Sequence, residues 1–205
     1  GLPEEDAAAA LALFAAGIPA PCSLEISGLA ALSAFSYGPL ASLGESSVGV
    51  IEFGSASTFV AFFHKGGLAL VRQFTVGADT VIERVRRDLG VDVPTARGIV
   101  ADGAFDISRQ VLDIFSPLIK QLAVSRDFVE RREDCRIARI FLSGGVMASR
   151  DVVEEIGNAM EIDVGFWNPF DGLTLAHGAI PDSLRGKEWQ MAGALGAALA
   201  TLEEA

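Results

Sequence analysis

Residues that commonly build metal and redox sites are scarce in this sequence. It contains two cysteines, Cys22 and Cys135, and two histidines, His64 and His177. The cysteines lie far apart, and there is no HExxH motif and no Cys/His cluster, which excludes zinc-ligand spacing and favours a reducing compartment. No uninterrupted apolar run reaches the ~18 residues needed to span a bilayer. We therefore predict no direct membrane insertion.

Positive charge is also in short supply. Sixteen Lys and Arg residues face 27 Asp and Glu residues, which gives a formal net charge of −11. An acidic surface disfavours binding to nucleic-acid phosphates and to anionic membranes. We expect no nucleic-acid partner. A chain of 205 residues, half of them hydrophobic, can still bury a stable core.

Neither a Walker A motif nor a Rossmann fingerprint is present, so any phosphate site must have another form. The most informative stretch is residues 48–67, where two β-rich runs flank a turn of small residues and predict a β-hairpin. Gly54 allows a positive φ, and Ser55, Ala56 and Ser57 leave backbone N–H groups uncovered, as in an anion-binding nest. Glu52 could hold a metal that accompanies phosphate. An ordinary hairpin with a small turn fits the same residues.

Hydrophobic periodicity predicts an α/β fold with a mixed sheet covered by helices. A third strand follows the hairpin, which makes a three-stranded meander. The predicted strands cover residues 48–51, 58–63, 68–74, 140–142 and 162–166, and the first three should be consecutive antiparallel neighbours. The predicted helices cover residues 3–17, 28–35, 79–89, 94–100, 106–130, 149–160 and 189–202, with a kink or restart at Pro117.

Two further features could contact a ligand. Ser143, Gly144 and Gly145 lie between a predicted strand and a helix, where free N–H groups at the helix start can bind an anion. A plain βα turn that needs glycine for close packing is the alternative. Arg84, Arg86 and Arg87 cluster on one helix. A solvated face is the main interpretation, and a phosphate or partner contact is the other.

The order of these elements resembles the second lobe of the actin/Hsp70/sugar-kinase superfamily, whose fold is RNase H-like. The string IEFGSAST resembles its second phosphate loop, Asp-x-Gly-x-x-x-Thr, with Glu52, Gly54 and Thr58 at the three fixed positions. The string LSGG resembles its adenosine motif. Within the superfamily, the chain resembles the PilM family of type IV pilus assembly. The supporting strings are AAGIPAPCSLEISGLAAL, FTVGADTVIERV, SRDF, WNPF and ALGAAL.

The resemblance implies a domain organisation. Residues 1–40 would be a remnant of the first lobe with a connecting helix, and residues 41–205 would be the second actin-like lobe. That lobe would contain a small subdomain insertion at about residues 77–106 and a closing helix at about residues 189–202. The superfamily's first phosphate loop would lie upstream, and the chain begins with Gly1, so we expect the C-terminal portion of a longer protein.

The resemblance also implies a nucleotide site shared with the missing lobe. ATP and Mg²⁺ are expected in the longer parent, and no tightly bound cofactor is expected in the fragment. Glu52 would hold the metal through a water, and no residue is identified as catalytic. The phosphate-binding residues would be Gly54, Ser55, Ala56, Ser57 and Thr58, and the adenosine-binding residues would be Ser143, Gly144 and Gly145. The chain departs from the family pattern at Glu52, which replaces Asp, and after Gly145, where Val146, Met147 and Ala148 follow.

The implied function is a cytoplasmic nucleotide-binding scaffold of a type IV pilus or a related secretion or envelope machine. It would recruit the tail of a PilN-like inner-membrane protein and other pilus components, and so lie peripheral to the inner membrane. Whether the longer parent has weak ATPase activity is left open, and the 205-residue fragment alone is expected to be inactive. The first alternative is a degenerate interaction domain that no longer binds nucleotide. The second is a small-molecule kinase, for which only one phosphate loop and no base are visible.

Overall fold

The computed structural model describes residues 3–14, 21, 23–102, 105–145, 150–176 and 178–203. The strands are β1 (Ser47–Phe53), β2 (Thr58–His64), β3 (Gly67–Phe74), β4 (Ile137–Gly144) and β5 (Asp163–Phe166). The helices are α1 (Glu4–Leu11), α2 (Ser27–Tyr37), α3 (Pro39–Ser42), α4 (Ala78–Leu89), α5 (Val93–Asp102), α6 (Ser108–Glu133), α7 (Arg150–Met160) and α8 (Ala192–Glu203). Short 3-10 turns cover Asp182–Leu184 and Glu188–Met191.

The five strands form one mixed sheet in the order β3-β2-β1-β4-β5. β1 pairs antiparallel with β2, and β2 pairs antiparallel with β3, which confirms the predicted meander. β4 lies parallel to β1, and β5 lies parallel to β4. The two-residue turn between β2 and β3 places Lys65 and Gly66 at φ values of 51° and 75°. Two positive φ values match the twist of a tight hairpin.

One face of the sheet packs against α4, α5, α6 and α7. Ile51 and Phe53 of β1 lie in this core, where the Phe53 ring meets the Phe115 ring of α6 edge-on at 5.5 Å between centroids. The helix α6 continues through Pro117, so it does not restart there, and the alternative of a kink at Pro117 stays a prediction. Val111, Leu118 and Leu122 of α6 are buried, because their helical spacing turns them all towards the sheet.

The opposite face of the sheet packs against α2, α3 and α8. Phe35 of α2 is fully buried and contacts the rings of Phe63, Phe141 and Trp167 at centroid distances of 5.7, 5.1 and 5.3 Å. Gly196 of α8 lies so close to the backbone of Ala30 that a Cβ atom would overlap its carbonyl. The absence of a side chain at Gly196 therefore allows the close spacing between the two helices.

Several element boundaries differ from those predicted. Helix α1 ends at Leu11, and its predicted continuation to Gly17 falls partly outside the described residues. The closing helix begins at Ala192, after a 3-10 turn that contains Trp189. Among the described residues, no helix has both the length and the apolar character needed to cross a membrane. The proposed division into residues 1–40 and 41–205 stays a prediction.

Candidate functional site

The two loops singled out in the sequence are neighbours in the fold. The parallel pairing of β1 with β4 places Phe53 beside Gly144. Since parallel strands end at the same edge of a sheet, the β1–β2 turn and the Gly144-Gly145 turn emerge side by side. Ligands of open α/β sheets bind at such carboxyl edges. The fold thus brings together the predicted phosphate residues and the predicted adenosine residues.

Hydrogen bonds within the β1–β2 turn hold it in one conformation. The Gly54 N–H donates to the Ser57 carbonyl at 2.9 Å, and the Thr58 hydroxyl donates to the Val76 carbonyl at 2.7 Å. Thr58 is fully buried, whereas Ser55 and Ala56 are exposed. Among the five predicted phosphate residues, Ser55 and Ala56 are therefore the ones most open to a ligand.

Gly54 is required for a different reason from the one predicted. It does not lie in the left-handed region, so the expected positive φ is wrong. A Cβ atom at Gly54 would instead lie 2.8 Å from the Ser57 carbonyl oxygen. The tight closure of the turn, and not its backbone angle, excludes a side chain at this position.

The first turn of α4 is bonded to the β1–β2 turn. The N–H groups of Ala78 and Asp79 donate to the carbonyls of Gly54 and Ser55 at 3.1 and 2.9 Å. These N–H groups have no partner within the helix, because they belong to its first turn. The turn carbonyls are thus fixed towards α4.

Glu52 lies near the end of β1 and is 6% exposed. Its Oε2 atom is hydrogen-bonded to the hydroxyl of Ser143, the residue directly opposite on β4. Burial raises the pKa of Glu52 to about 7, although the bond to Ser143 acts in the opposite direction. Ser143 is fully buried, so its hydroxyl faces Glu52 and not an open cavity.

These surroundings define what metal Glu52 could hold. Among the described residues there is no group of three or more His, Cys, Asp or Glu side chains that could bind a metal ion. A single carboxylate suits Mg²⁺ that keeps most of its waters and is also held by substrate phosphates. Glu52 by itself therefore does not form a metal site in the described part of this chain.

The Gly-Gly turn after β4 depends on glycine. Gly144 has a φ of +103°, and a Cβ atom there would overlap the backbone of Phe53. Gly145 is exposed. Val146, Met147 and Ala148, the departure from the family motif, lie outside the described residues. The close approach of the Gly144 backbone to β1 is the packing role that the plain βα-turn interpretation requires.

A cavity of about 480 Å³ lies beside these two turns. Volumes of this size suit small-molecule ligands. Ser55 of the first turn and Gly145 of the second both line it. The remaining lining comes from α4, from α5 and from the segment before α8, and consists of Ala78, Asp79, Ile82, Arg97, Val100, Ala101, Gly186, Lys187, Trp189 and Gln190.

The cavity combines an apolar wall with charged groups. Ile82, Val100 and Trp189 supply apolar surface, Arg97 and Lys187 supply positive charge, and Asp79 supplies one negative charge. None of these residues stood out in the sequence, because they come from three separate parts of the chain: α4, α5 and the segment before α8. The arrangement suits a ligand that has one flat apolar part and one anionic part.

A family comparison fits this geometry. Residues 30–202 match the model of the type IV pilus assembly protein PilM. The chain belongs to the PilM family. No curated protein matches it significantly.

Solved structures show the same fold as this PilM-family chain. A PilM chain described as "PilM-PilN type IV pilus biogenesis complex" matches with a TM-score of 0.71 and 20% identity, over 88% of this chain and 53% of that one. MreB 5 of Spiroplasma citri bound to AMPPNP matches with a TM-score of 0.62 and 12% identity, over 100% of this chain and 67% of that one. An archaeal actin homolog in complex with ADP matches with a TM-score of 0.57 and 15% identity, over 87% and 57%. The fold is therefore actin-like, and this chain spans about half the length of the PilM chain it matches.

Proposed function

We propose that this chain is the nucleotide-binding C-terminal half of a longer PilM-family scaffold in a type IV pilus machine. The observation that carries the proposal is the cavity in which the β1–β2 turn and the Gly-Gly turn meet. The similar structures of MreB 5 bound to AMPPNP and of an actin homolog bound to ADP support a nucleotide as the ligand. ATP would place its base against Ile82, Val100 and Trp189.

The phosphates of ATP would lie near the β1–β2 turn. Ser55 and Ala56 would offer backbone N–H groups, and Arg97 and Lys187 would add positive charge at the cavity wall. Mg²⁺ would accompany the phosphates and contact Glu52 through a water. Such contacts need Glu52 in its ionised form, which its raised pKa disfavours below about pH 7.

The scaffold role follows from the family. A PilM-family protein in the cytoplasm would recruit the tail of a PilN-like inner-membrane protein and other pilus components. It would thus be held at the inner membrane by its partners. The structural likeness to the PilM of a PilM-PilN complex supports a PilN-like partner.

Isothermal calorimetry on the longer parent tests the nucleotide proposal. We expect measurable ATP affinity in the parent and weak or undetectable affinity in the 205-residue chain, since half of the cleft would be absent. Arg97→Glu in the parent should reduce ATP affinity about tenfold or more, because it reverses a charge at the cavity wall. Arg109→Glu is the matched control, since Arg109 is exposed on α6 and does not line the cavity.

Two results would contradict this proposal. One is equal ATP affinity in the parent and its Arg97→Glu variant, with both proteins folded. The other is micromolar ATP affinity in the 205-residue chain alone, which would argue against a site shared between two lobes.

One observation favours a second candidate function, a degenerate interaction domain without nucleotide binding. The carboxyl of Glu52 is buried and hydrogen-bonded to Ser143, so both residues satisfy each other inside the protein. A parent that binds a PilN-like tail equally well with and without ATP, and shows no heat of ATP binding, would support this candidate.

A further inference from the structure

Acidic residues are unevenly distributed along the chain. All 27 lie outside residues 53–78, although the whole chain carries a net charge of −11. That stretch contains Lys65 and Arg72 and forms β2, β3 and the turns around them. The β2–β3 hairpin is thus a positively charged part of an acidic protein.

Strand β3 lies at one end of the sheet. Within the described part of the chain, no strand pairs with its outer side. An edge strand presents a row of unpaired N–H and C=O groups, which can pair with another extended chain. The pairing of β3 with β2 is irregular between Leu68, which pairs with Phe63, and Leu70, which pairs with Phe62. Residues 70–74 follow this irregularity and form the regular stretch that is available for pairing.

The two faces of β3 differ in chemistry. Val71 pairs with Ala61, whose side chain faces α2, whereas Arg72 pairs with Val60, whose side chain faces α6. On the α2 side, Leu68 and Val71 are 58% and 40% exposed. On the α6 side, Arg72 is exposed. We call this surface, residues 68–74, the β3 edge.

We propose that the β3 edge binds an extended segment of a partner protein by strand addition, and that apolar and acidic residues alternate in this segment. Side chains of an added strand alternate between the two faces of the sheet. Those on one face would pack beside Leu68 and Val71, and those on the other would meet Arg72. Arg72 and Lys65 are both exposed, and the hairpin itself contains no acidic residue that would neutralise them.

A second copy of this chain is a poorer occupant of the same edge. Antiparallel pairing of two β3 strands would bring two copies of Arg72 and Lys65 into one small surface. Like charges across neighbouring strands are destabilising. The charge of the hairpin therefore selects an acidic segment over self-association.

Hydrogen exchange followed by NMR tests this proposal on the 205-residue chain. The probe is a blocked ten-residue peptide that alternates Val and Glu. We expect it to slow exchange of the β3 amides that face outwards, and to leave the amides of α7 unchanged. A peptide that alternates Val and Lys should bind at least about tenfold more weakly. Two further versions of the acidic peptide carry N-methyl groups, one at its odd-numbered residues and one at its even-numbered residues. Only one of the two should lose binding, since an added strand uses the N–H groups of one of its edges only.

Charge variants complete the test. Arg72→Glu should lower the affinity for the Val/Glu peptide about fivefold to tenfold, and Arg109→Glu on the exposed side of α6 should not. The proposal is overturned by an acidic peptide that does not protect β3, or by affinity that is unchanged in Arg72→Glu. Concentration-dependent protection of β3 without any peptide would also overturn it, in favour of a second copy.

Discussion

Glu52 and Ser143 occupy directly paired positions on two parallel strands and are hydrogen-bonded to each other. Both side chains are buried. The residue predicted to hold a metal and the first residue predicted to contact adenosine therefore contact one another. Under the proposed nucleotide function, adenosine contacts would therefore rest on the backbone of Gly144 and Gly145 and on the wall of the cavity, and not on the Ser143 side chain.

The first prediction concerns pH. Burial raises the pKa of Glu52 from 4.5 to about 7. Between these two pH values the carboxyl is protonated in the folded protein and ionised in the unfolded chain. The stabilising contribution is complete below about pH 4.5 and is lost as the pH rises through 7. The free energy of unfolding of the wild type should fall, relative to Glu52→Gln, by up to about 3 kcal/mol between pH 4.5 and 8. Urea unfolding at several pH values measures this. Parallel pH profiles of the two proteins would contradict it.

The second prediction concerns Gly144. Alanine there must adopt a φ of +103° and also overlap the Phe53 backbone. Gly144→Ala should lower the free energy of unfolding by about 2–5 kcal/mol. Gly186→Ala is the control, since Gly186 has a φ of +74° but no atom lies within 4 Å of the place its Cβ would occupy. It should cost only about 1–2 kcal/mol. Denaturant unfolding measures both variants. An equal loss of unfolding free energy in Gly144→Ala and Gly186→Ala would contradict the prediction, because it would show that the overlap with Phe53 adds no cost.

The third prediction concerns the contact between α2 and α8. A Cβ atom at Gly196 would overlap the Ala30 carbonyl, so Gly196→Ala should cost more than about 2 kcal/mol of unfolding free energy. At Gly193 the nearest atoms, in Ser27, lie 3.3 Å away. Gly193→Ala should be nearly neutral, because the higher helix propensity of alanine, up to about 1 kcal/mol, offsets a small shift. Thermal unfolding of both variants compares them directly, and similar melting temperatures would be the contrary result.

The fourth prediction concerns the longer parent and rests on the proposed function. Glu52→Ala should weaken Mg-ATP more than metal-free ATP, because it removes the carboxylate that the metal would use. Gly54→Val should weaken both, since its side chain would displace the Ser57 carbonyl and reshape the turn. Calorimetry with and without Mg²⁺ separates the two effects, and circular dichroism checks that both variants fold. Equal ATP affinity in the wild type and Gly54→Val would favour the degenerate interaction domain.

The meander of β1, β2 and β3 could be predicted from the sequence because these strands are dense in β-branched and aromatic residues and are separated by short glycine-containing turns. The side-chain pairing of Glu52 with Ser143 could not, since 91 positions separate the two residues and only the register of β1 against β4 brings them together. The conformation of Gly54 was also beyond the sequence. The small residues after Glu52 indicate a tight turn. The short distance between a Cβ atom at Gly54 and the Ser57 carbonyl, however, depends on how the folded turn closes.

Arginines show the same limit. Arg84 and Arg86 drew attention because they cluster, yet they pair with Asp88 and Glu83 at 2.8 and 2.6 Å on the surface of α4. This agrees with the solvated-face interpretation. Arg97 stands alone in the sequence and lines the cavity. A cluster of charges in the sequence indicates a helix surface, whereas the position of Arg97 at the cavity depends on where the fold places α5.

The bonds between the β1–β2 turn and α4 have a mechanical consequence. Ala78 and Asp79 at the start of α4 are held by the carbonyls of Gly54 and Ser55, and Thr58 holds the Val76 carbonyl just before the helix. A rotation of α4 against the sheet must either break these bonds or carry the turn with it. Any displacement of α4 would therefore also change the position of Ser55 at the rim of the cavity.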